Sequence, residues 1–226
     1  GSAAANPGNN SQLWPVLTQQ QRPWAYWWWM GSAVDKVNLT RELTRYAQAG
    51  YGGVHIIPIY GAKGWETNYI SYLSPRWMEM LDHTIREANR LGLGVDMTTG
   101  TGWCFGGGPY VGEKEGNASV VVKTFTVAPG TPLSEKFDAK KIQALVAYSQ
   151  AGPPIELTSR IAADGSVNWV APAGEWTVYA VSQKLSPQKV KRAAPGGEGP
   201  MLNLIYPEAM PVFLRSHTEA FAKYRG

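Results

Sequence analysis

The chain of 226 residues lacks the side chains on which several common kinds of site depend. Its single cysteine, Cys104, excludes a disulfide framework and a cysteine-based zinc site, so a buried, inert thiol is its default interpretation. The three histidines, His55, His83 and His217, lack the one-turn helical spacing that places two metal ligands together. No apolar run approaches the roughly 20 residues that span a bilayer, so the sequence predicts no membrane segment.

Charged residues are also scarce, at 17 % of the chain, whereas aromatic residues reach 12 %. This composition is typical of a packed globular protein rather than a disordered one. The net charge is +4, and the one basic cluster comprises Lys184, Lys189, Lys191 and Arg192. Because no predicted helix carries a basic stripe, a solvated strand or loop is favoured over a nucleic-acid site for this cluster.

Aromatic side chains concentrate near the start of the chain. Five of the six residues at positions 24–29 are aromatic, and eight of the ten tryptophans lie at or before Trp103. Flat apolar rings edged with N–H donors suit stacking against sugar rings. Ordinary core is the alternative for any single ring, because successive side chains of a strand point to opposite faces. A core role is favoured for Trp27 over its neighbours.

Strands and helices alternate over the first half of the chain. The predicted strands are Trp24–Met30, Gly53–Tyr60 and Leu93–Thr99. One helix is predicted to begin with Asn38 as its N-cap, and a second with Ser74 as its cap and Pro75 at its first position. Short connections of this kind predict parallel pairing, hence an α/β barrel or an open doubly wound sheet. A dinucleotide site is weakly supported, since no GxGxxG follows the first strand, and no phosphate-binding GxxxxGK[ST] is present.

The periodicity changes near Val111. From Ala118 to about Arg192, short β-branched and aromatic runs separated by Gly and Pro predict a small antiparallel sandwich, with a hairpin turn at residues 163–166. A last helix is predicted to open at residues 206–208 and to partner the third strand, which makes the β-rich module an insertion in a βα loop.

The predicted organisation has four parts: a flexible tail at 1–22, the first barrel strands and helices at 23–114, the inserted β-rich module at 115–200 and a barrel helix at 201–226. The first two residues, Gly1 and Ser2, have the appearance of a cloning scar. The Ala, Asn, Gly and Gln-rich tail is of a kind that follows a removed signal peptide. We therefore expect a periplasmic or secreted protein.

Several spaced blocks resemble glycoside hydrolase family 106, the α-L-rhamnosidases. The blocks lie strongly between about Pro23 and Val111 and return more weakly at residues 197–201 and in the last helix. The stronger blocks are Arg22–Trp29, Ala49–Val54, Leu91–Asp96, Gly102–Trp103 and Gly107–Val111. Several blocks in the right order are far more specific than any one of them.

This resemblance implies the fold class and the chemistry. Members of the family are much longer, with a catalytic (β/α)8 barrel followed by β-rich domains, so the chain resembles the first three βα units of a TIM-type barrel. Inverting hydrolysis requires two carboxyl groups roughly 6.5–9.5 Å apart. The family's two catalytic glutamates are expected on later strands, and calcium is expected near the sugar hydroxyls with ligands outside this chain. No catalytic residue is therefore assigned here.

Active sites of such barrels lie at the carboxyl ends of the strands. The candidates for substrate binding at these ends are Trp28, Trp29, Tyr60, Thr98, Thr99 and Trp103. Asp96 and Glu198 are weaker candidates for contacts to the sugar or its surroundings, against a buried structural carboxylate for Asp96 and a solvated one for Glu198. Glu66 and Tyr69 are placed at the rim of the pocket.

The function expected from these features is the N-terminal portion of an exported enzyme that degrades polysaccharide. It would hydrolyse terminal α-L-rhamnosyl linkages of a rhamnose-containing oligosaccharide or glycoside, with this chain alone inactive. The alternatives are a non-catalytic carbohydrate-binding or scaffold protein and, more distantly, another barrel hydrolase. A barrel cut after three units exposes a strand edge, so self-association or pairing with the remainder of the enzyme is expected.

Overall fold

The computed structural model describes residues 17–150, 152–186 and 188–224, so most of the predicted tail lies outside the described residues. The described residues form a three-stranded sheet, a four-stranded sheet and three α-helices. In chain order the elements are β1 (Trp24–Met30), α1 (Lys36–Gln48), β2 (Gly53–Ile59), α2 (Pro75–Arg90), β3 (Gly94–Met97), β4 (Ala118–Val127), β5 (Ile142–Ser149), β6 (Gly152–Glu156), β7 (Trp176–Leu185) and α3 (Ala209–Ala222).

The first sheet has the order β1-β2-β3 with both pairs parallel, which confirms the predicted parallel pairing. Alternate side chains of its strands form a core with the helices: Trp27, Trp29, Val54, Ile56, Val95 and Met97. The residues between them occupy the opposite face, where Tyr26, Trp28 and Asp96 are exposed, although Ile59 at the carboxyl end of β2 is buried. The sheet therefore has one packed face and one open face.

The helices that follow β1 and β2 both begin with a capping side chain, but the cap of the first helix differs from the predicted one. The cap of α1 is Asp35 rather than Asn38, because the Asp35 side chain accepts a hydrogen bond from the Asn38 backbone N–H at 2.9 Å. That hydrogen bond also lowers the pKa of Asp35. The cap of α2 is Ser74 with Pro75 at the first position, as predicted.

The second sheet has the order β4-β7-β5-β6 and is antiparallel throughout. The described residues of the module form only this one sheet, so the predicted sandwich is wrong. In place of a second sheet, residues 157–171 pack across one face, where Leu157, Val167 and Trp169 are buried. This segment makes a 3-10 turn and isolated bridges instead of strands. The predicted turn at residues 163–166 is confirmed.

The segment after β7 returns to the parallel sheet and leads into α3. We call residues 188–203 the return segment. Its backbone bonds to the loops after β2 and β3, for example through Tyr72 N–H to Pro195 O at 2.7 Å. Helix α3 then packs beside α2, where Ala220 joins the Trp77 core. None of the described helices is both long and apolar enough to cross a membrane.

Candidate functional site

The open face of the parallel sheet carries a row of polar and aromatic side chains. The strand register places Tyr26 beside His55 and His55 beside Asp96. One step nearer the carboxyl edge, Trp28 is paired with Ile57. Tyr26 is 70 % exposed and Trp28 is 45 % exposed, so the face is available to a ligand.

Aromatic rings on this face contact one another. The Tyr26 ring lies 5.5 Å from the His55 ring and 6.5 Å from the Trp28 ring. The Trp103 ring, from the loop after β3, lies 5.9 Å from Trp28 and is itself 49 % exposed. We call Tyr26, Trp28, His55 and Trp103 the aromatic platform.

A cavity of about 350 Å³ lies at the edge of the platform. Its lining includes His55, Thr98, Thr99 and Trp103. The Thr98 hydroxyl donates to the Gly100 carbonyl at 3.1 Å, whereas Thr99 is exposed. This volume is at the lower end of the range for small-molecule sites. The lining combines apolar rings with hydroxyl groups, a combination that suits a sugar.

The structure brings most of the predicted site residues to one edge, but not Trp29. The Trp29 side chain is 1 % exposed, and its ring lies 5.6 Å from Trp77 of α2. It therefore belongs to the packed face, and its assignment to substrate binding is wrong. The reason is the two-residue period of a strand, which puts Trp27 and Trp29 on one face and Trp28 on the other.

Tyr60 lies directly after β2 and is 38 % exposed. Its backbone N–H donates to the Arg192 carbonyl at 3.0 Å, which takes Tyr60 out of the strand ladder and explains why β2 ends one residue earlier than predicted. The Arg192 guanidinium covers part of its ring, with Cζ 5.2 Å from the ring centroid. Tyr60 thus joins the open edge of the sheet to the return segment.

The predicted carboxylates have different surroundings. Asp96 is exposed on the open face, so it is not the buried structural carboxylate considered as the alternative. Glu198 is exposed in the return segment, where its Oε2 accepts from the Gly196 N–H at 2.8 Å. Glu66 accepts from the Gly64 N–H, and the Tyr69 hydroxyl donates to Ala62 O at 2.6 Å. The last three residues stabilise their own loops, and none lines the cavity beside the platform.

Sequence reasoning missed Tyr26 and His55 as members of the site. Tyr26 could have been predicted from the two-residue alternation of a strand, because it lies on the same face as Trp28. His55 was considered only for metal spacing, and its role depends on the register that pairs it with Tyr26. Aligning the two predicted strands in parallel would have placed both residues on the open face.

The described residues do not fit a calcium site by themselves. Within residues 17–150, 152–186 and 188–224, no three histidine, cysteine, aspartate or glutamate side chains come together in a way that could hold a metal ion. Asp96 on the open face has no second carboxylate beside it in the strand register, where its neighbour is His55. No calcium ligand is therefore assigned among the described residues.

A second cavity, of about 360 Å³, lies between the start of α2, helix α3 and the glycine-rich loop after β3. Inside it, the Tyr72 hydroxyl and His217 Nε2 are hydrogen-bonded at 3.1 Å, and both side chains are buried. Burial raises the pKa of Tyr72 and lowers the pKa of His217. The Tyr72 hydroxyl thus bonds the buried His217 imidazole of α3, and burial favours the neutral form of that ring.

The neutral state of His217 predicts a pH-dependent stability. In the unfolded chain the imidazole takes up a proton near its ordinary pKa of about 6.5, whereas the buried ring does so only at lower pH. Stability should therefore be highest above about pH 6.5 and fall as the pH drops from there through the folded pKa. Urea unfolding between pH 8 and pH 5 should show this fall, and His217→Gln should reduce it. An equal fall in both proteins would contradict the assignment.

The parallel sheet, the aromatic platform and the adjacent cavity define an α/β protein with a candidate small-molecule site at the carboxyl edge of parallel strands. The family model of glycoside hydrolase family 106, described as alpha-L-rhamnosidase, matches residues 17–151. The chain belongs to this family.

Two further comparisons concern longer proteins. The solved rhamnosidase from Novosphingobium sp. PP1Y has a similar fold, with a TM-score of 0.73 and 14 % sequence identity over 92 % of this chain and 37 % of that one. A protein of Formosa agariphila described as "Putative beta-glucuronidase" is 20 % identical over 88 % of this chain. The chain spans 21 % of the length of that relative.

Proposed function

We propose that this chain is the N-terminal part of an α-L-rhamnosidase that hydrolyses terminal α-L-rhamnosyl linkages with inversion. Its open sheet face is one wall of the sugar site. The observation that carries this proposal is the aromatic platform beside a cavity of about 350 Å³, at the carboxyl edge of a sheet in a chain of this family. Trp28 and Trp103 would stack on the sugar, while Thr98, Thr99 and Asp96 would contact its hydroxyls.

The parallel units are proposed to be the first three of a (β/α)8 barrel. Helices cover one face of the sheet, and the open face would be the barrel interior, which further strands would line. On this proposal, residues 23–114 and 201–226 belong to the barrel, and residues 115–200 are a β-rich insertion. The likeness to a solved rhamnosidase supports this arrangement at the level of the fold.

We propose that the open sheet face binds the sugar and does not transfer protons in the reaction. Inversion needs one carboxylic acid to protonate the leaving oxygen and a second carboxylate to activate water. The open face carries Asp96 without a carboxylate neighbour in its row. We therefore place the catalytic carboxylates, and any calcium ligands, on later segments of the enzyme. We also propose that the enzyme is exported to the periplasm or secreted.

The same lack of a carboxylate pair favours a second candidate, a carbohydrate-binding or scaffold protein without catalysis. Such a protein would keep the platform and the cavity, and it would bind the sugar without cleaving it. The two candidates agree on the binding surface and differ only in turnover.

Hydrolysis of an aryl α-L-rhamnoside separates the two candidates. The 226-residue chain should show no turnover, whereas a longer protein that continues through the remaining barrel strands should release the phenol, with the sugar product in the inverted configuration by NMR. Turnover by the chain alone would overturn the placement of the carboxylates. A longer protein that binds rhamnose without cleaving the glycoside would favour the binding protein.

A further inference from the structure

The basic cluster noted in the sequence lies next to the proposed sugar site. The return segment crosses the carboxyl edge of the parallel sheet and bonds to the residues that follow β2 and β3. Lys191 and Arg192 lie where it meets Tyr60 and Trp103, and both cations are exposed. Two positive charges therefore border the aromatic platform.

Arg192 is held against Tyr60 by three contacts. Its carbonyl accepts from the Tyr60 N–H, its Nη1 donates to the Tyr60 hydroxyl at 2.9 Å, and its guanidinium lies over the ring. All of these partners are neutral. The other guanidinium N–H groups have no partner among the described residues, so they are available to an anion.

Lys191 is positioned beside Trp103 by a reciprocal pair of backbone hydrogen bonds. Trp103 N–H donates to Lys191 O at 2.9 Å, and Lys191 N–H donates back to Trp103 O. Residues directly opposite in such a bridge place their side chains on the same side. The close approach requires Gly102, where an added Cβ would lie 2.2 Å from Lys191 O and φ is +59°.

Arg192 differs from most of the described arginines in having no carboxylate partner. Elsewhere among the described residues, six arginines form ion pairs with carboxylates: Arg41, Arg45, Arg76, Arg86, Arg90 and Arg215. Neither Lys191 nor Arg192 forms an ion pair with a described residue. Glu198, on the same segment, is bonded to the Gly196 N–H instead. The two exposed cations are therefore available to an anion from outside the chain.

We infer that Lys191 and Arg192 form a subsite for an anionic group, a carboxylate or a sulfate ester, on the sugar adjacent to the one on the platform. This inference rests on the proposed sugar site. Arg192 would donate its free N–H groups to two oxygens of the anion, and Lys191 would supply a second charge. Recognition would be electrostatic and would weaken with added salt.

Calorimetric titration of the chain with three matched disaccharides tests the inference. All carry a non-reducing α-L-rhamnosyl unit, linked to glucose, to glucuronic acid or to a sulfated glucose. Both anionic probes, or one of them, should bind about fivefold to tenfold more tightly than the neutral probe at low salt. The anionic disaccharide that binds more tightly than the neutral one identifies the anionic group that the subsite prefers.

Arg192→Gln and Lys191→Gln should each reduce this advantage, whereas Arg160→Gln, the same change at an exposed arginine of the β-rich module, should retain it. Equal binding of all three probes, or an advantage that survives in both variants, would overturn the inference while leaving the neutral sugar site intact. If no probe bound, both the subsite and the platform as a sugar site would be rejected.

Discussion

Trp29→Ala is expected to destabilise the chain by about 3–5 kcal/mol, the range found when a large buried aromatic side chain is removed from a core. Trp29 packs between Trp27 and Trp77 and is 1 % exposed, so its removal leaves a cavity between the sheet and α2. Its Nε1 has no hydrogen-bond partner in the described structure, so the loss is one of apolar packing. Urea unfolding measures the effect directly.

Trp28→Ala is the matched control, because it removes the same side chain from the opposite face of the same strand. Trp28 is 45 % exposed, and its loss should cost less than about 1 kcal/mol. Trp29→Phe keeps a ring and removes the unpaired N–H, so its cost should be roughly half that of the alanine variant. Equal destabilisation by Trp28→Ala and Trp29→Ala would show that the two faces are assigned incorrectly.

In the longer enzyme, Trp28→Ala and Trp103→Ala are each expected to lower kcat/KM for a rhamnoside by at least about tenfold. Both rings are exposed at the proposed site and lie 5.9 Å apart, so either substitution removes a stacking surface that no small residue replaces. Steady-state kinetics with an aryl rhamnoside gives the ratio, and unfolding of each variant checks that the fold survives.

Trp65→Ala provides the control for these two variants. Trp65 is 61 % exposed on the loop after β2 and lines neither of the two cavities. Its loss should leave kcat/KM within about twofold, since a scattered surface tryptophan has no part in stacking. If Trp65→Ala lowered kcat/KM as much as Trp103→Ala, stacking on the aromatic platform would not explain the effect of the Trp103 substitution.

Local patterns in the sequence were sufficient to predict the parallel sheet. The run Trp24–Met30 emerges with the predicted bounds, and Ser74-Pro75 begins α2 because a capping hydroxyl and a fixed φ act within one turn. The predicted cap of α1, Asn38, lies three residues after the actual cap, because the Asp35 side chain accepts the hydrogen bond that the Asn38 backbone N–H donates.

The β-rich module shows where local patterns fail. The apolar residues of the segment 157–171 have strand-like composition, yet their partners are tertiary, in the core with Leu145 and Val178. Whether such a run pairs with another strand or packs on a sheet face depends on contacts distant in sequence, which its own composition does not specify. The predicted second sheet therefore does not exist among the described residues.

The candidate site was predictable in part. The position of a residue at the carboxyl end of a predicted strand correctly indicated four residues that lie at the open edge: Trp28, Tyr60, Thr98 and Trp103. The position of Arg192 beside Tyr60 was not predictable, since 132 residues separate the two and the contact depends on how the return segment crosses the sheet.

Rhamnose titrated into the chain with 15N-labelled tryptophan side chains tests the proposed sugar site directly. The indole N–H signals, assigned through single Trp→Phe variants, report each ring separately. The signals of Trp28 and Trp103 should shift with a common saturable dependence on rhamnose, while those of Trp29 on the packed face and of Trp77 in α2 stay in place. Shifts confined to Trp77, which lies beside Tyr72 of the second cavity, or no shift at any ring, would contradict the open face as the sugar site.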